Sequence, residues 1–346
     1  MLQRHLLLWL VLSSAIALFW PAIMGQSRDQ ASESSESEIT FPFDPFLVPS
    51  AETGRPQPRF PLGTVVAITM FAIGTLLPPD EISMVLQRWP TVLGGTIVQY
   101  TSMPLLAFGL ATIFQLPRDL FVGVVLVGCV PGAMASNVLT LAARGNISYS
   151  VSLTTLATLL SPIVVPLALQ LALRTRASID SLAISMQLLR EVVGPVIAGY
   201  AICRVWKSGG GVLRKIAGPV ANLAILWIIA TVVALNRDRL QQISMAVLSV
   251  LLLLNVGGYL AGYWGATAMR LSHDMRKALT IEVGMQNAGV GTALALKWFS
   301  DTPTAAIPTA AYTFGCMLTG TMLAKWFARS ILVEQQKRVV TDQDDQ

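Results

Sequence analysis

Glu282 is a carboxylate within a long apolar stretch, Ala278–Phe299, in the segment EVGMQNAGVGTALAL. A charge near the centre of a membrane costs at least ~2.5–3.5 kcal/mol on insertion scales, so such side chains usually face the protein interior and bind something. Two glycines and the amides of Gln286 and Asn287 follow within a few residues. This pattern predicts a transmembrane helix that is interrupted where backbone and side-chain oxygens ligate an ion.

A second interruption is predicted in VGCVPGAMASNVLTLAARGN, at residues 127–146. Pro131 cannot donate a backbone hydrogen bond, and Gly132 tolerates many backbone conformations. Ser136 and Asn137 follow immediately and add side-chain oxygens.

Further neutral oxygens lie in neighbouring apolar runs. Ser150 and Thr154 are four residues apart and share one helix face, and Gln99 lies in another run. A single Ser or Thr in a membrane helix most often hydrogen-bonds within its helix. Together with one carboxylate, however, the set suits a hard monovalent cation. The sequence has no histidine cluster, thiolate pair or paired carboxylates in these runs, which argues against a transition metal or calcium.

Composition indicates a membrane protein that crosses the bilayer many times. The chain has 346 residues, of which 53% are hydrophobic and 12% charged, about half the charged fraction of a soluble domain. Its net charge of +5 comes from basic residues in short loops, so it reflects topology and predicts no nucleic-acid partner. The three cysteines lie in or beside apolar runs, which predicts neither a disulfide framework nor a zinc site.

Ten apolar runs can each supply the roughly 20 residues of a crossing. They cover 6–24, 60–78, 91–114, 119–142, 147–173, 181–203, 217–235, 242–268, 277–298 and 304–328. The first run could instead be a cleaved signal peptide. Its length and the lack of an Ala-x-Ala site favour a retained helix in residues 1–25.

The remaining divisions follow from composition and charge. Residues 26–59 are predicted to form a flexible external loop, 60–328 a nine-helix body and 329–346 a cytoplasmic tail. With the N-terminus inside, fourteen basic residues lie on the cytoplasmic side and nine outside. This bias places both termini in the cytoplasm, with the protein in the plasma (inner) membrane. The adjacent pair Arg190–Glu191 is interpreted as structural, near a helix start.

The two interruptions fall in the fourth and ninth runs, five spans apart. This spacing predicts an all-α membrane protein of ten helices in two five-helix repeats. An odd number of spans in each half gives the halves opposite orientations.

Three segments resemble the bile acid:sodium symporter family, in its bacterial form. They are VGCVPGAMASNVLTLAARGN at 127–146, SVSLTTLATLLSPIVVP at 150–166 and EVGMQNAGVGTALAL at 282–296. The resemblance implies ten helices in core and panel domains, with the fourth and ninth helices unwound and crossing. It also implies two bound sodium ions.

The resemblance assigns ligands to both ions. The first site falls on Ser136, Asn137, Ser150, Thr154 and Glu282. The second falls on Gln99, Glu282 and Gln286, with the backbone oxygens of Val283 and Met285.

The resemblance also implies where a substrate binds, at Asn287, Met134, Ala135, Cys316 and Met317. Here the chain departs from the family pattern. The family commonly has Gly-Gly-Thr or Gly-Gly-Ser where this chain has Gly-Ala-Met, and a His-Asn pair where it has Cys-Met. The identity of the transported compound is therefore left open.

The function implied is sodium-coupled symport of an organic anion by alternating access, with two sodium ions per cycle. Two sodium ions beside one buried carboxylate leave a charge of +1, which a monovalent anion neutralises. The expected partners are a small organic anion and the lipid bilayer, and no obligatory protein partner is predicted.

Four alternatives remain from the residues alone. A sodium-binding sensor or scaffold that moves no solute is disfavoured because the tail is too short for an output domain. An intramembrane enzyme lacks a catalytic partner for Glu282. Proton coupling through Glu282 remains open, and arsenite-type efflux would require Cys129 or Cys316 at the site.

Overall fold

The computed structural model describes residues 6–23, 44–49, 56–78, 80–173, 180–206, 210–235, 244–299 and 303–344. Its elements in chain order are α1 (Leu6–Ile23), β1 (Leu47–Pro49), β2 (Pro56–Pro58), α2 (Leu62–Leu76), α3 (Glu81–Gln87), α4 (Trp89–Ile113), α5 (Arg118–Cys129), α6 (Ala135–Ala142), α7 (Ile147–Leu173), α8 (Ser181–Leu188), α9 (Gly194–Val205), α10 (Gly210–Leu235), α11 (Met245–Ala268), α12 (His273–Gly284), α13 (Ala288–Trp298) and α14 (Ala306–Asp344). A π-helical turn, Leu189–Val193, joins α8 to α9, and a 3-10 turn, Pro303–Ala305, precedes α14. The predicted all-α class is confirmed.

The predicted spans coincide with helical segments of the described residues, and the fourth and ninth are each divided in two. Among the described residues, five helices are long and apolar enough to cross a membrane: Trp89–Ile113, Ile147–Leu173, Ser181–Val205, Gly211–Leu235 and Met245–Ala268. The chain is therefore a multi-pass membrane protein. The count of ten crossings stays a prediction.

Two compact units make up the chain. One consists of Met1–Leu76 and Arg190–Ser244, and the other of Leu77–Leu189 and Met245–Gln346. The second unit contains both divided helices and every predicted ion ligand. Within the first unit, α1 packs against α10, and the division at residue 25 stays a prediction.

Part of the predicted flexible loop 26–59 is an ordered hairpin, so the prediction is corrected for these residues. Strands β1 and β2 pair antiparallel, with Val48 opposite Gln57. Phe46, just before β1, lies 5.2 Å from the ring of Trp227, and Phe60 lies 5.4 Å from it, both measured between centroids. Aromatic packing on α10 holds the hairpin in place. Residues 26–43 and 50–55 lie outside the described residues.

Three further differences from the sequence prediction concern the extent and number of the helices. Helix α14 continues from the predicted tenth span through most of the predicted tail, as far as Asp344. Helix α3 was not predicted, because seven residues are too short for a span. The pair Arg190–Glu191 lies in the π-helical turn within a longer helix, not near a helix start. Its atoms Nη2 and Oε1 are 3.2 Å apart, and Arg190 is exposed.

Candidate functional site

The first interruption separates α5 from α6. Val130 adopts an extended conformation, with φ −73° and ψ 159°, as the residue before a proline prefers. Pro131 has no N–H to continue the helix, and the chain becomes helical again at Ala135. The second interruption separates α12 from α13, where Met285 is extended, with φ −112° and ψ 101°. No proline lies in this second break.

The two breaks pair with each other. Gly132 and Gln286 form an antiparallel bridge. The Ala133 N–H donates to the Met285 carbonyl at 2.9 Å, and the Asn287 N–H donates to the Pro131 carbonyl at 2.8 Å. Two N–H groups and two carbonyls freed by the interruptions are therefore paired inside the protein, as a membrane-spanning structure requires.

Glu282 lies beside this crossing, at the last turn of α12, and its side chain is 0% exposed. Ser136 Oγ donates to Oε2 at 2.5 Å, and Thr154 Oγ1 donates to Oε1 at 2.6 Å. Ser150 Oγ lies 3.4 Å from Oε2. Among the described residues, the carboxylate thus has three hydroxyl partners and no basic side chain beside it.

Asn137 completes the first predicted set. Its Oδ1 accepts from Ser150 Oγ at 2.8 Å and lies 3.5 Å from Thr154 Oγ1. Thr140, which was not predicted, lies 3.2 Å from Ser150 Oγ through its own hydroxyl. The structure brings all five predicted residues of this set together, and four of them offer neutral oxygens around one carboxylate.

The second predicted set lies across the same crossing. Gln99 Nε2 is 3.5 Å from Gln286 Oε1, and Gln286 Nε2 donates to the Val283 carbonyl at 2.9 Å. Gln99 is 1% exposed, and its Oε1 has no hydrogen-bond partner. A Cβ on Gly132 would lie 3.1 Å from Gln99 Nε2 and in closer contact with Glu282 Oε1. The missing side chain of Gly132 therefore allows the backbone of the first break to lie close to the Glu282 carboxylate and to the Gln99 amide, whose oxygen is unpaired.

The five residues assigned to substrate lie at the starts of two helices and in the interior of a third. Asn287 is half-buried, and its Oδ1 caps α13 by accepting from Val290 N at 3.3 Å. Met134 Sδ accepts from Asn137 Nδ2 at 3.5 Å, and Ala135 begins α6. Cys316 and Met317 are buried on α14. The ion ligands form one hydrogen-bonded cluster, whereas the five substrate residues come from three separate helices.

A buried polar network behind the ninth-span break was missed from the sequence. Asn255 and Tyr312 both donate to the Gly284 carbonyl, and Thr319 and Tyr259 extend the network. Asn255 is a lone amide within the apolar run LLLLNVGGYL. That isolation was the available signal, because a polar group in a membrane helix needs a partner.

Comparison with known proteins adds independent information. A family model described as the sodium bile acid symporter family matches residues 64–243. An uncharacterized sodium-dependent transporter of Bacillus subtilis, YocS, is 37% identical over 270 residues, covering 78% of this chain and 84% of the relative.

Two plant relatives carry similar names. The probable sodium/metabolite cotransporter BASS1 of Arabidopsis thaliana chloroplasts is 30% identical over 265 residues, covering 77% of this chain and 66% of the relative. A rice counterpart, BASS2, is 26% identical over 276 residues, covering 80% of this chain and 65% of the relative. The chain thus spans just under two thirds of both plant proteins. All three relatives are named as transporters or cotransporters, not as enzymes.

Proposed function

Because this chain belongs to the sodium bile acid symporter family, we propose that it is a sodium-coupled symporter that moves an organic anion across the plasma membrane by alternating access. It is a membrane transport protein and not an enzyme. The relatives' names support sodium as the coupling ion. The observation that carries the proposal is the fully buried Glu282 carboxylate, surrounded by hydroxyls.

The first sodium ion is proposed to bind at Glu282, Ser136, Asn137, Ser150 and Thr154. A carboxylate buried in a membrane protein carries a large desolvation penalty unless a cation neutralises it. Each hydroxyl that donates to Glu282 can rotate and present a lone pair to a cation instead. Neutral oxygens and one carboxylate match a monovalent ion better than a divalent one.

The second sodium ion is proposed to bind between Glu282, Gln99 and Gln286. Its support is the unpaired Gln99 Oε1, since a buried oxygen without a partner is costly and a cation would satisfy it. The carbonyls of Val283 and Met285, predicted as further ligands, already accept hydrogen bonds from Gln286 Nε2 and Ala133 N. Each carbonyl has a second lone pair for an ion.

The substrate is proposed to be a monovalent anion with appreciable apolar surface, bound near Asn287, Met134 and Ala135, with Cys316 and Met317 in the pocket wall. Two ions and one carboxylate leave a local charge of +1, which the anion balances. The N-terminus of α13 favours an anionic group. Thioether side chains offer flexible apolar surface and poor hydrogen bonding, so a short hydroxy acid is a poorer match.

The proposed membrane arrangement is ten spans in two inverted repeats, forming core and panel domains, with both termini cytoplasmic. Its support is the position of the breaks, five spans apart, and their direct pairing. Residues 1–25 form the first span in this proposal. The body at 60–328 and the tail at 329–346 follow the external segment at 26–59.

The test is thermal stabilisation of the purified protein in sodium and in potassium, followed by a series of carboxylates of increasing alkyl length. Sodium at one hundred times its dissociation constant should stabilise the folded state by ~2.7 kcal/mol, and potassium by less. In sodium, the longer carboxylates should stabilise most and should compete for sodium-dependent uptake in vesicles. Equal melting temperatures in both salts, without sodium-dependent uptake of any anion, contradict the proposal. Uptake that follows a proton gradient instead would favour proton coupling through Glu282, and sodium stabilisation without uptake of any solute would favour a sensor.

A further inference from the structure

The Gly284 carbonyl, the last of helix α12, accepts two side-chain hydrogen bonds from other helices. Asn255 Nδ2 on α11 and Tyr312 Oη on α14 each lie 2.8 Å from its oxygen. The donors are almost fully buried, with Asn255 2% and Tyr312 1% exposed. A carbonyl oxygen has two lone pairs, so these two donors occupy its accepting capacity.

In a continuous helix, the Gly284 carbonyl would accept a hydrogen bond from the backbone rather than from side chains. There the N–H of residue i+4 donates to the carbonyl of residue i, so Ala288 N–H would donate to the Gly284 oxygen. In the structure, Ala288 N–H instead donates to the Gln286 carbonyl at 2.9 Å. Asn255 and Tyr312 therefore fill the acceptor through which α12 and α13 would join into one helix.

The Asn255 amide is itself held in one orientation. Thr319 Oγ1 donates to Asn255 Oδ1 at 2.6 Å, which directs the NH2 group of the amide toward Gly284. The Tyr259 hydroxyl lies 3.1 Å from Thr319 Oγ1 and continues the network. Every member is buried or half-buried, so the orientation does not depend on solvent.

Close backbone packing keeps α11 within reach of the break. A Cβ on Gly258 would lie 2.9 Å from Gly284 Cα and 3.1 Å from the Val283 carbonyl. A Cβ on Gly262 would lie 2.8 Å from Thr280 Cα. Side chains at these two positions would separate the helices, and the Asn255 amide would then no longer reach its acceptor.

We propose that Asn255 and Tyr312 are positioning residues that keep the ninth-span helix interrupted at Gly284 and so hold Glu282 and Gln286 in the ion-binding arrangement. The ion-binding part of this inference rests on the proposed function. Tyr312 lies one helical turn before Cys316 on α14, so the same contact links the ion-binding segment to a wall of the proposed substrate pocket.

The test compares Tyr312→Phe with Tyr100→Phe. Both changes remove one hydroxyl that donates to a backbone carbonyl. The hydroxyl of the buried Tyr312 lies 2.8 Å from the Gly284 oxygen, and that of the half-buried Tyr100 lies 2.7 Å from the Ala157 oxygen. Both variants should therefore lose similar thermal stability in sodium-free buffer. Only Tyr312→Phe should lower the apparent sodium affinity, by roughly fivefold, the size expected for one net hydrogen bond. Asn255→Leu should act in the same direction, and Thr319→Val less, since it leaves both donors to Gly284 in place.

A second readout does not require sodium. In sodium-free buffer, the amides of residues 285–288 should exchange hydrogen faster in Tyr312→Phe than in Tyr100→Phe, because the break is no longer held in one form. Equal exchange in the two variants overturns the proposal, as does an equal sodium affinity. If sodium fails to stabilise the unmodified protein, the proposed function fails, and the exchange comparison alone then supports or overturns the role of Asn255 and Tyr312.

Discussion

The two helix breaks are alike in geometry but differ in how the sequence creates them. The break between α5 and α6 is local in origin, because Pro131 cannot continue the helix and constrains Val130 before it. The break between α12 and α13 has no proline. Hydrogen bonds from other parts of the chain hold it. Asn255 and Tyr312 donate to the Gly284 carbonyl, and the backbone of the first break pairs with Met285 and Asn287. One interruption is thus specified by its own residues and the other by its surroundings.

The two breaks also contribute different kinds of ion ligand. The first break contributes neutral groups, Ser136 and Asn137, whereas the second contributes the charge of Glu282. The charged ligand therefore lies on the segment whose conformation depends on tertiary contacts. Movement of α11 or α14 would alter the position of the charge, whereas the proline-defined break would keep its form.

The first prediction contrasts the ligands from the two breaks. Glu282→Gln keeps the size of the side chain but removes its charge, so sodium stabilisation and sodium-dependent uptake should be lost entirely. Ser136→Ala removes one neutral ligand and should weaken sodium affinity by about tenfold, in the range measured for hydrogen bonds to charged groups. The measurement is a sodium titration of melting temperature with parallel uptake. Near-normal uptake by Glu282→Gln, in protein that inserts and folds, would show that the Glu282 carboxylate is not a ligand shared by the two sodium ions.

A second prediction compares Gly132 in the first break with Gly289 in the first turn of α13. Gly132→Ala places a methyl group against Glu282 Oε1 and 3.1 Å from Gln99 Nε2, so it displaces two side chains proposed as ligands of the second ion. We expect sodium affinity to fall more than about tenfold, as for loss of at least one charge-assisted contact. Gly289→Ala is the control, since its methyl group would meet only Asn287 Oδ1, at an ordinary 3.6 Å. Equal sodium binding by both variants would show that Glu282 and Gln99, the side chains beside Gly132, do not form an ion site.

The difference between the breaks also explains what the sequence could predict. Pro131 marks its break by itself, and Glu282 with its neighbouring glycines marks the other. Which groups surround Glu282 could not be derived locally, since Ser136 is 146 residues away and Thr154 is 128. The family resemblance supplied those partners. The resemblance did not identify Asn255 and Tyr312, and nothing local reveals that two side chains from separate helices share one carbonyl.

The hairpin is another feature that could not be predicted from the local sequence. Each of its strands has three residues, and Pro49, Pro56 and Pro58 lie within them. Proline is normally a signal against a strand, so the composition indicated a loop. Packing of Phe46 and Phe60 on Trp227 decides the outcome, and that contact joins parts of the chain more than 150 residues apart.

The last prediction concerns the ends of the two half-helices that lie away from the breaks. Asn146, after α6, donates through Nδ2 to Asp274 Oδ2 at 2.9 Å and through its backbone N–H to the Asp274 carbonyl at 3.0 Å. Asp274 is in the first turn of α12, outside the predicted span. Its pKa is lowered from 3.8, first by the hydrogen bond from Ser272 and also by that from Asn146, while partial burial acts in the opposite direction. A lowered folded-state pKa means that this carboxylate stabilises the protein above its unfolded pKa, and that the contribution is lost as the pH falls through the folded value.

The melting temperature of the unmodified protein should therefore fall as the pH drops below about 4, the ordinary aspartate value, and through the lower folded-state pKa of Asp274. Asp274→Asn should show a shallower pH dependence, because no proton is taken up at this position. Ser272→Ala should reduce the slope more than Asn146→Ala, following the order of their effects on the pKa, although Asn146→Ala also removes the cap that Tyr149 N–H uses at the start of α7. The slope, not the absolute melting temperature, is the quantity compared. Parallel pH profiles for the unmodified protein and Asp274→Asn would show that the charge of the Asp274 carboxylate adds nothing to the stability of the folded state.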